Sequence, residues 1–180
     1  IGTNRRSVLR TYARQIGFPL QYAKDNYWPG PFTYNSLPII SMTIQEMEFP
    51  YPKPAYRNYV GVMVLEGRKD INTNEDVRAR LNQLFEKKNT QSKPLIYCSV
   101  STFKVGDQSF LVKLVKAVAD RPNYILILGL GGLLEADFLP SLPPNVHAFS
   151  WIPQLEVLKE ADCSINHGGI HTINECIHFQ

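Results

Sequence analysis

The second half of this chain predicts a doubly wound α/β domain built on a parallel sheet. Two observations carry that expectation. From Pro94 onward, short runs that are apolar at every residue alternate with segments of helical periodicity. Strands apolar on every residue are buried on both faces, and regular strand–helix alternation implies βαβ units. Glycine-rich turns then follow two of the runs, at Gly129 to Gly132 and at Gly168-Gly169. In such sheets, turns at the carboxyl ends of strands are where ligands bind.

Taken in order, Arg5 to Ile16 reads as a helix, because Val8, Leu9, Tyr12 and Ile16 recur at helical spacing. Gly17 and Pro19 end it. Tyr22 to Tyr59 is rich in proline and aromatic residues and reads as a connector or surface wrap. Its turn signals are Pro29-Gly30 and Pro50-Tyr51-Pro52, with one short strand expected at Leu37 to Met42. Tyr59 to Leu65 is a β-branched run, and Glu66 to Asn74 is polar and turn-like. Asp76 to Phe85 is a helix with Val77, Leu81, Leu84 and Phe85 on one face, followed by a polar linker from Lys87 to Lys93.

Beyond Pro94, strands are expected at Leu95 to Val100, Tyr124 to Leu128, Val146 to Phe149 and Cys163 to Asn166. Helices are expected at Phe110 to Ala119 and Gln154 to Ala161. A last helix opens at Gly168-Gly169, with Ile170, Ile173 and Ile177 on one side. There is no internal repeat.

Composition narrows the function. The net charge of +3 is mild and the basic residues are scattered, so nothing argues for a nucleic-acid partner. Arg5-Arg6 and Lys87-Lys88 read as solvated helix faces. No apolar run approaches the ~20 residues of a spanning helix, and no secretory signal is present. Cys98, Cys163 and Cys176 are odd in number, widely spaced and set in apolar surroundings, which fits buried thiols in a reducing, cytoplasmic compartment. The chain starts without Met and reads as a fragment of a longer protein.

The last thirty residues hold the chemistry. A strand runs into His167-Gly168-Gly169 and a helix starts at once. A helix N-terminus offers free N–H groups and a positive dipole end, both suited to phosphate. Glycines let the backbone approach the anion, and Thr172 adds a hydroxyl. Glu175 shares a face with Thr172 and is placed to accept two ribose hydroxyls. Trp151, in a loop stiffened by Pro153, could stack a base.

Trp151-Ile152-Pro153-Gln154, then Leu158, then His167-Gly168-Gly169, Thr172 and Glu175 together resemble the donor-binding signature of the UDP-glycosyltransferase family. That family includes glucuronosyltransferases, plant glucosyltransferases and bacterial macrolide glycosyltransferases. The resemblance extends more weakly to Asn4 to Pro19, to Tyr59-Val60-Gly61 and to Ile96 to Thr102. It implies a GT-B type fold, with a partial Rossmann-like donor domain preceded by the tail of an acceptor domain. Residues 1–58 would then be acceptor-domain tail and connector, 59–93 the interdomain linker, and 94–180 the donor domain.

It also implies roles. Trp151 would stack on uracil, with Gln154 beside it at base or ribose. His167 would contact the diphosphate, Gly168, Gly169, His171 and Thr172 would line it at the helix start, and Glu175 would hold the ribose. Ser101 or Thr102 would line the phosphate from the other side. His171 stands where the family most often has Asn, Ile170 where plant members have Trp, and Ser101 where Gly is frequent, which bears on donor preference. The catalytic base would lie before Ile1, and an acidic–Gln pair that reads the sugar beyond Gln180. The implied activity is hexosyl transfer, with inversion, from a UDP-type nucleotide sugar to a hydroxyl of a small-molecule or lipid-like acceptor. No cofactor is implied, the nucleotide sugar being a co-substrate, and the isolated fragment would be inactive and marginally stable.

A nucleotide-sugar epimerase of similar architecture, or a non-catalytic nucleotide-sugar-binding module, are the alternatives. Zinc held by Cys163, His167, His171, Cys176 and His178 is disfavoured, because the two first histidines straddle the Gly-Gly turn. Gly129, Gly131 and Gly132 miss the third glycine of a dinucleotide fingerprint, where Leu134 stands, which argues against hydride transfer.

Overall fold

The computed structural model describes residues 10–17, 38–50, 52, 55–68, 75–100, 109–132 and 141–179. The chain divides into two compact units, Ile1–Gly61 and Val62–Gln180. In the first unit, residues 10–15 are helical. Strand β1 (Ile39–Ser41) pairs in parallel with β2 (Arg57–Tyr59), Ile39 opposite Arg57. A 3₁₀ turn lies at Gln45–Met47. The β-branched run expected from Tyr59 to Leu65 is not a strand beyond Tyr59. Gly61 takes φ +83°, a left-handed backbone that extended pairing cannot continue through. The turn signal Pro29-Gly30 lies outside the described residues.

The second unit runs α1 (Glu75–Gln91), β3 (Leu95–Ser99), α2 (Ser109–Ala119), β4 (Ile125–Gly129), β5 (Val146–Phe149), α3 (Gln154–Glu160), β6 (Cys163–Asn166) and α4 (Ile170–His178). The four strands form one sheet in the order β5-β4-β3-β6, every pairing parallel. This is the partial Rossmann-like sheet that the alternation of strands and helices implies.

The order explains the layers. From β3 the chain steps outward through β4 to β5, then returns across the sheet to place β6 on the other side of β3. Parallel crossovers are as a rule right-handed, so reversing direction moves the connecting helix to the opposite face. The packing agrees. Leu111 and Val118 of α2 pack with Cys98, Leu126, Leu128, Val146 and Ala148. On the other face, Leu81 and Leu84 of α1 and Val157 and Leu158 of α3 pack with Leu95, Tyr97, Ile125, Ile127 and Phe149. Alternate residues of one strand thus serve both cores, as the period of two requires. Burying one such side chain fully stabilises by ~1.5–3 kcal/mol.

Two expectations need correcting. Helix α1 continues through the stretch read as a polar linker. Its last turns have a partner: Lys88 Nζ lies 3.7 Å from Asp162 and 4.0 Å from Glu160. Asp162 in turn accepts the Leu95 N–H at 2.7 Å, which fixes where β3 starts. Cys163, expected in the buried core, is exposed, because it opens the short edge strand β6. Cys98 in central β3 is buried, and burial pushes its thiol up to about 11.

Candidate functional site: a cleft at the sheet's switch point

β3 has β4 on one side and β6 on the other, and the chain runs on from β3 to β4 but reaches β6 only after returning across the sheet, so the direction of winding reverses between β3 and β6. This is the switch point at which doubly wound sheets bind ligands. A cleft of ≈ 450 Å³ opens there. Trp151, Gln154, His167, Gly169, His171, Thr172 and Glu175 all line it. Residues scattered over 25 positions of sequence are thereby gathered at one sheet edge. Gly168 is not in the wall, and Ser101 and Thr102 lie outside the described residues.

Helix α4 forms one side of the cleft. The isoleucines expected on one side of the helix are not its buried face. Its buried residues are Thr172, Asn174 and Glu175, while Ile170 is 45% exposed. The helix turns a polar face to the cleft, and only Cys176, with Phe179 just beyond the helix, packs on the apolar core. A purely apolar inward face would have left Arg68 and Gln154 without the carboxylate to which both donate.

The two glycines before α4 have different tasks. Gly168 takes φ +79°, which only glycine adopts without strain, and its N–H donates to Asn166 Oδ1 at 2.9 Å. Gly169 caps the helix with an ordinary φ of −65°. A Cβ on it would lie 2.8 Å from His167 Nε2, so its bare backbone is what lets the imidazole lie across the helix start. His167 is exposed and can reach a ligand seated on the first N–H groups of α4.

A hydrogen-bonded chain runs along the floor. Tyr97 is 1% exposed, yet its hydroxyl reaches the cleft and donates to Gln154 Oε1 at 3.2 Å. That bond turns the Gln154 amide so that Nε2 donates to Glu175 Oε2, with Thr172 Oγ1 3.4 Å away. Arg68 Nη1 donates to Glu175 Oε1 at 2.7 Å. A carboxylate this deeply buried requires such partners.

Two polar atoms in the wall have no hydrogen-bond partner among the described residues: Trp151 Nε1 and Ser99 Oγ, both buried. The Trp151 ring lies against Gly132, where a Cβ would stand 3.0 Å from Cε3. The glycine thus leaves room for the indole. Among the described residues, no group of three or more His, Cys, Asp or Glu could hold a metal ion.

Sequence reading missed Arg68, Tyr97 and Ser99. Tyr97 carried a signal, since a phenol in an otherwise aliphatic strand must find a partner when buried. Arg68, in a polar turn far from the signature, carried none.

Known proteins resemble this chain in part. No family model matches the chain. It is 37% identical over 86 residues to demethyllactenocin mycarosyltransferase of Streptomyces fradiae, 47% of this chain and 18% of that protein. It is 30% identical over 89 residues to an uncharacterized UDP-glucosyltransferase, YdhE, of Bacillus subtilis, 49% of this chain and 22% of that protein. These matches span about a fifth of the relatives' length.

The fold agrees over nearly the whole chain. The calicheamicin glycosyltransferase CalG4 superposes with a TM-score of 0.60 at 21% identity, over 96% of this chain and 39% of that one. The glycotransferase of kitacinnamycin gives 0.64 at 21% identity, over 98% and 41%. The chain therefore resembles glycosyltransferases in sequence and has the GT-B type of fold, its parallel sheet being of the Rossmann-like donor-domain kind.

Proposed function

We propose that the second unit binds the nucleotide and diphosphate of a UDP-type nucleotide sugar. We further infer that the protein to which it belongs transfers a hexosyl group to an acceptor hydroxyl with inversion. The observation that carries this reading is the cleft itself. It combines a half-buried Trp151, a buried Glu175 wired through Gln154, and a glycine-opened helix start crossed by His167.

Each has a use. The indole can stack on the base while Glu175 accepts hydroxyls of the ribose. The first N–H groups of α4 and the His167 side chain face the diphosphate. Once a base has taken the acceptor's proton, the acceptor oxygen attacks the anomeric carbon from the face opposite the leaving group. The bond from that carbon to the diphosphate oxygen breaks, and its electron pair leaves with the diphosphate. The helix dipole and a hydrogen bond from His167 stabilise that growing charge. The acceptor belongs to the small-molecule or lipid-like class. Among the described residues, no helix is long and apolar enough to cross a membrane.

The test is turnover and UDP binding in a His167→Ala variant of the full-length protein to which the chain belongs. The expected result is UDP-sugar transfer slowed by orders of magnitude with an unchanged thermal melt. Near-normal turnover at saturating donor would reject the role given to His167.

A further inference from the structure

The segment entering the second unit brings a cation into the cleft. Residues 65–68 form a turn closed by the Arg68 N–H, which donates to the Leu65 carbonyl at 3.0 Å. Two side chains leave this turn for α4. Glu66 Oε1 lies 2.9 Å from His178 Nε2, and Arg68 Nη1 donates to Glu175 Oε1 at 2.7 Å. Glu175 and His178 are three residues apart and share one side of the helix. The turn is therefore fastened at two points, and Arg68 is held in place. Its side chain is 41% exposed against 6% for Glu175, so the guanidinium forms the open rim and the carboxylate the floor.

Arg68 and Gln154 each engage one oxygen of Glu175. An ionised carboxylate offers about four lone-pair sites. One acceptor site per oxygen is left, which is what two adjacent hydroxyls require. We propose that Arg68 is a positioning residue of this site: with Gln154 it presents Glu175 as a preformed two-point acceptor for the vicinal diol of the nucleotide's ribose. This rests on Glu175 being the ribose acceptor. A group ordered before the ligand arrives binds more tightly than one ordered by it.

The experiment titrates UDP and 2′,3′-dideoxy-UDP into the full chain and into Arg68→Ala and Arg68→Lys. The parent should prefer UDP. Arg68→Ala should weaken UDP about tenfold, the scale of one charge-assisted hydrogen bond, and leave the dideoxy ligand unchanged. Arg68→Lys, which keeps the charge but loses the fork, should fall between the two and remains informative if the alanine variant melts early. Equal weakening of both ligands, or UDP binding that is unchanged or tighter, would overturn the proposal. A parent chain that fails to distinguish the two ligands would instead overturn the ribose assignment of Glu175 beneath it.

Discussion

Replacing Gly129 with Ala tests whether the cleft depends on the link between Tyr97 and Gln154. Gly129 ends β4 directly over the phenol. A Cβ there would stand 2.8 Å from the Tyr97 hydroxyl, 3.3 Å from its Cε2 and 3.0 Å from Ile152 Cγ2. Favourable contacts between carbons lie at about 3.5–4.0 Å. Neither neighbour can retreat easily, since Tyr97 is 1% and Ile152 8% exposed. Overpacking of this kind costs ~1–3 kcal/mol, and losing the Tyr97–Gln154 hydrogen bond ~1 kcal/mol more. For a unit of this size the melting temperature should fall by about 10 °C. Gly129 has no positive φ, so backbone strain adds nothing and the effect is steric. With its carbonyl released, Gln154 no longer holds its amide toward Glu175, and UDP should bind several-fold more weakly. Thermal melting followed by near-ultraviolet circular dichroism, paired with calorimetry, reads both effects. A melt within about 2 °C of the parent would refute the packing argument. A large loss of stability with UDP affinity intact would refute the coupling between β3 and the cleft.

Three further outcomes are expected. Trp151→Ala should weaken UDP binding by roughly tenfold, on the ~1–3 kcal/mol scale of base–aromatic stacking, and an unchanged calorimetric dissociation constant would reject the stacking role. Cys163 is exposed whereas the Cys98 thiol is buried and pushed up to about 11, so iodoacetamide at pH 8 should label Cys163 and spare Cys98; peptide mass mapping that finds Cys98 labelled equally fast would contradict this. Burial, with Lys87 and Arg80 nearby, lowers the His147 pKa from 6.5. The unfolded chain then binds the extra proton first, so the stability held above pH 6.5 is lost as pH falls through the depressed value. Urea midpoints should drop over that window and do so less steeply in His147→Gln; equal slopes would exclude His147 as the source.

The sheet and the cleft's location were legible because burial on both faces forces a continuous apolar run, as at Leu95 to Ser99 and Ile125 to Gly129. That ligands gather at the carboxyl ends of the strands followed from the alternation of strands and helices; the strand order that sets the switch point did not. The signature residues were legible because they cluster around two strand ends. What was hidden depends on distant partners. Arg68 reaches Glu175 across 107 positions, and no local pattern announces that. Helix α1 outran its expected end because its final turns are polar, their stabilising partners lying on α3 and at Asp162. The buried face of α4 was not legible for a related cause: an amphipathic pattern identifies the apolar stripe, whereas a crevice recruits the polar one.

The pairing of β3 with β6 sets an order of events during folding. Ile96 lies opposite Leu126 on one side and opposite Cys163 on the other. The first contact closes a short loop through α2; the second must wait for more than twice as much chain. Loop closure and long-range strand pairing slow folding as sequence separation grows. Amides of β3 and β4 should therefore gain protection from hydrogen exchange before those of β6. During synthesis the crevice between β3 and β6 cannot form until the end of α4 has left the ribosome. Until then Tyr97 and Ser99 stand uncovered at a nascent sheet edge, and a chaperone that recognises unpaired strands would meet this edge before the cleft exists.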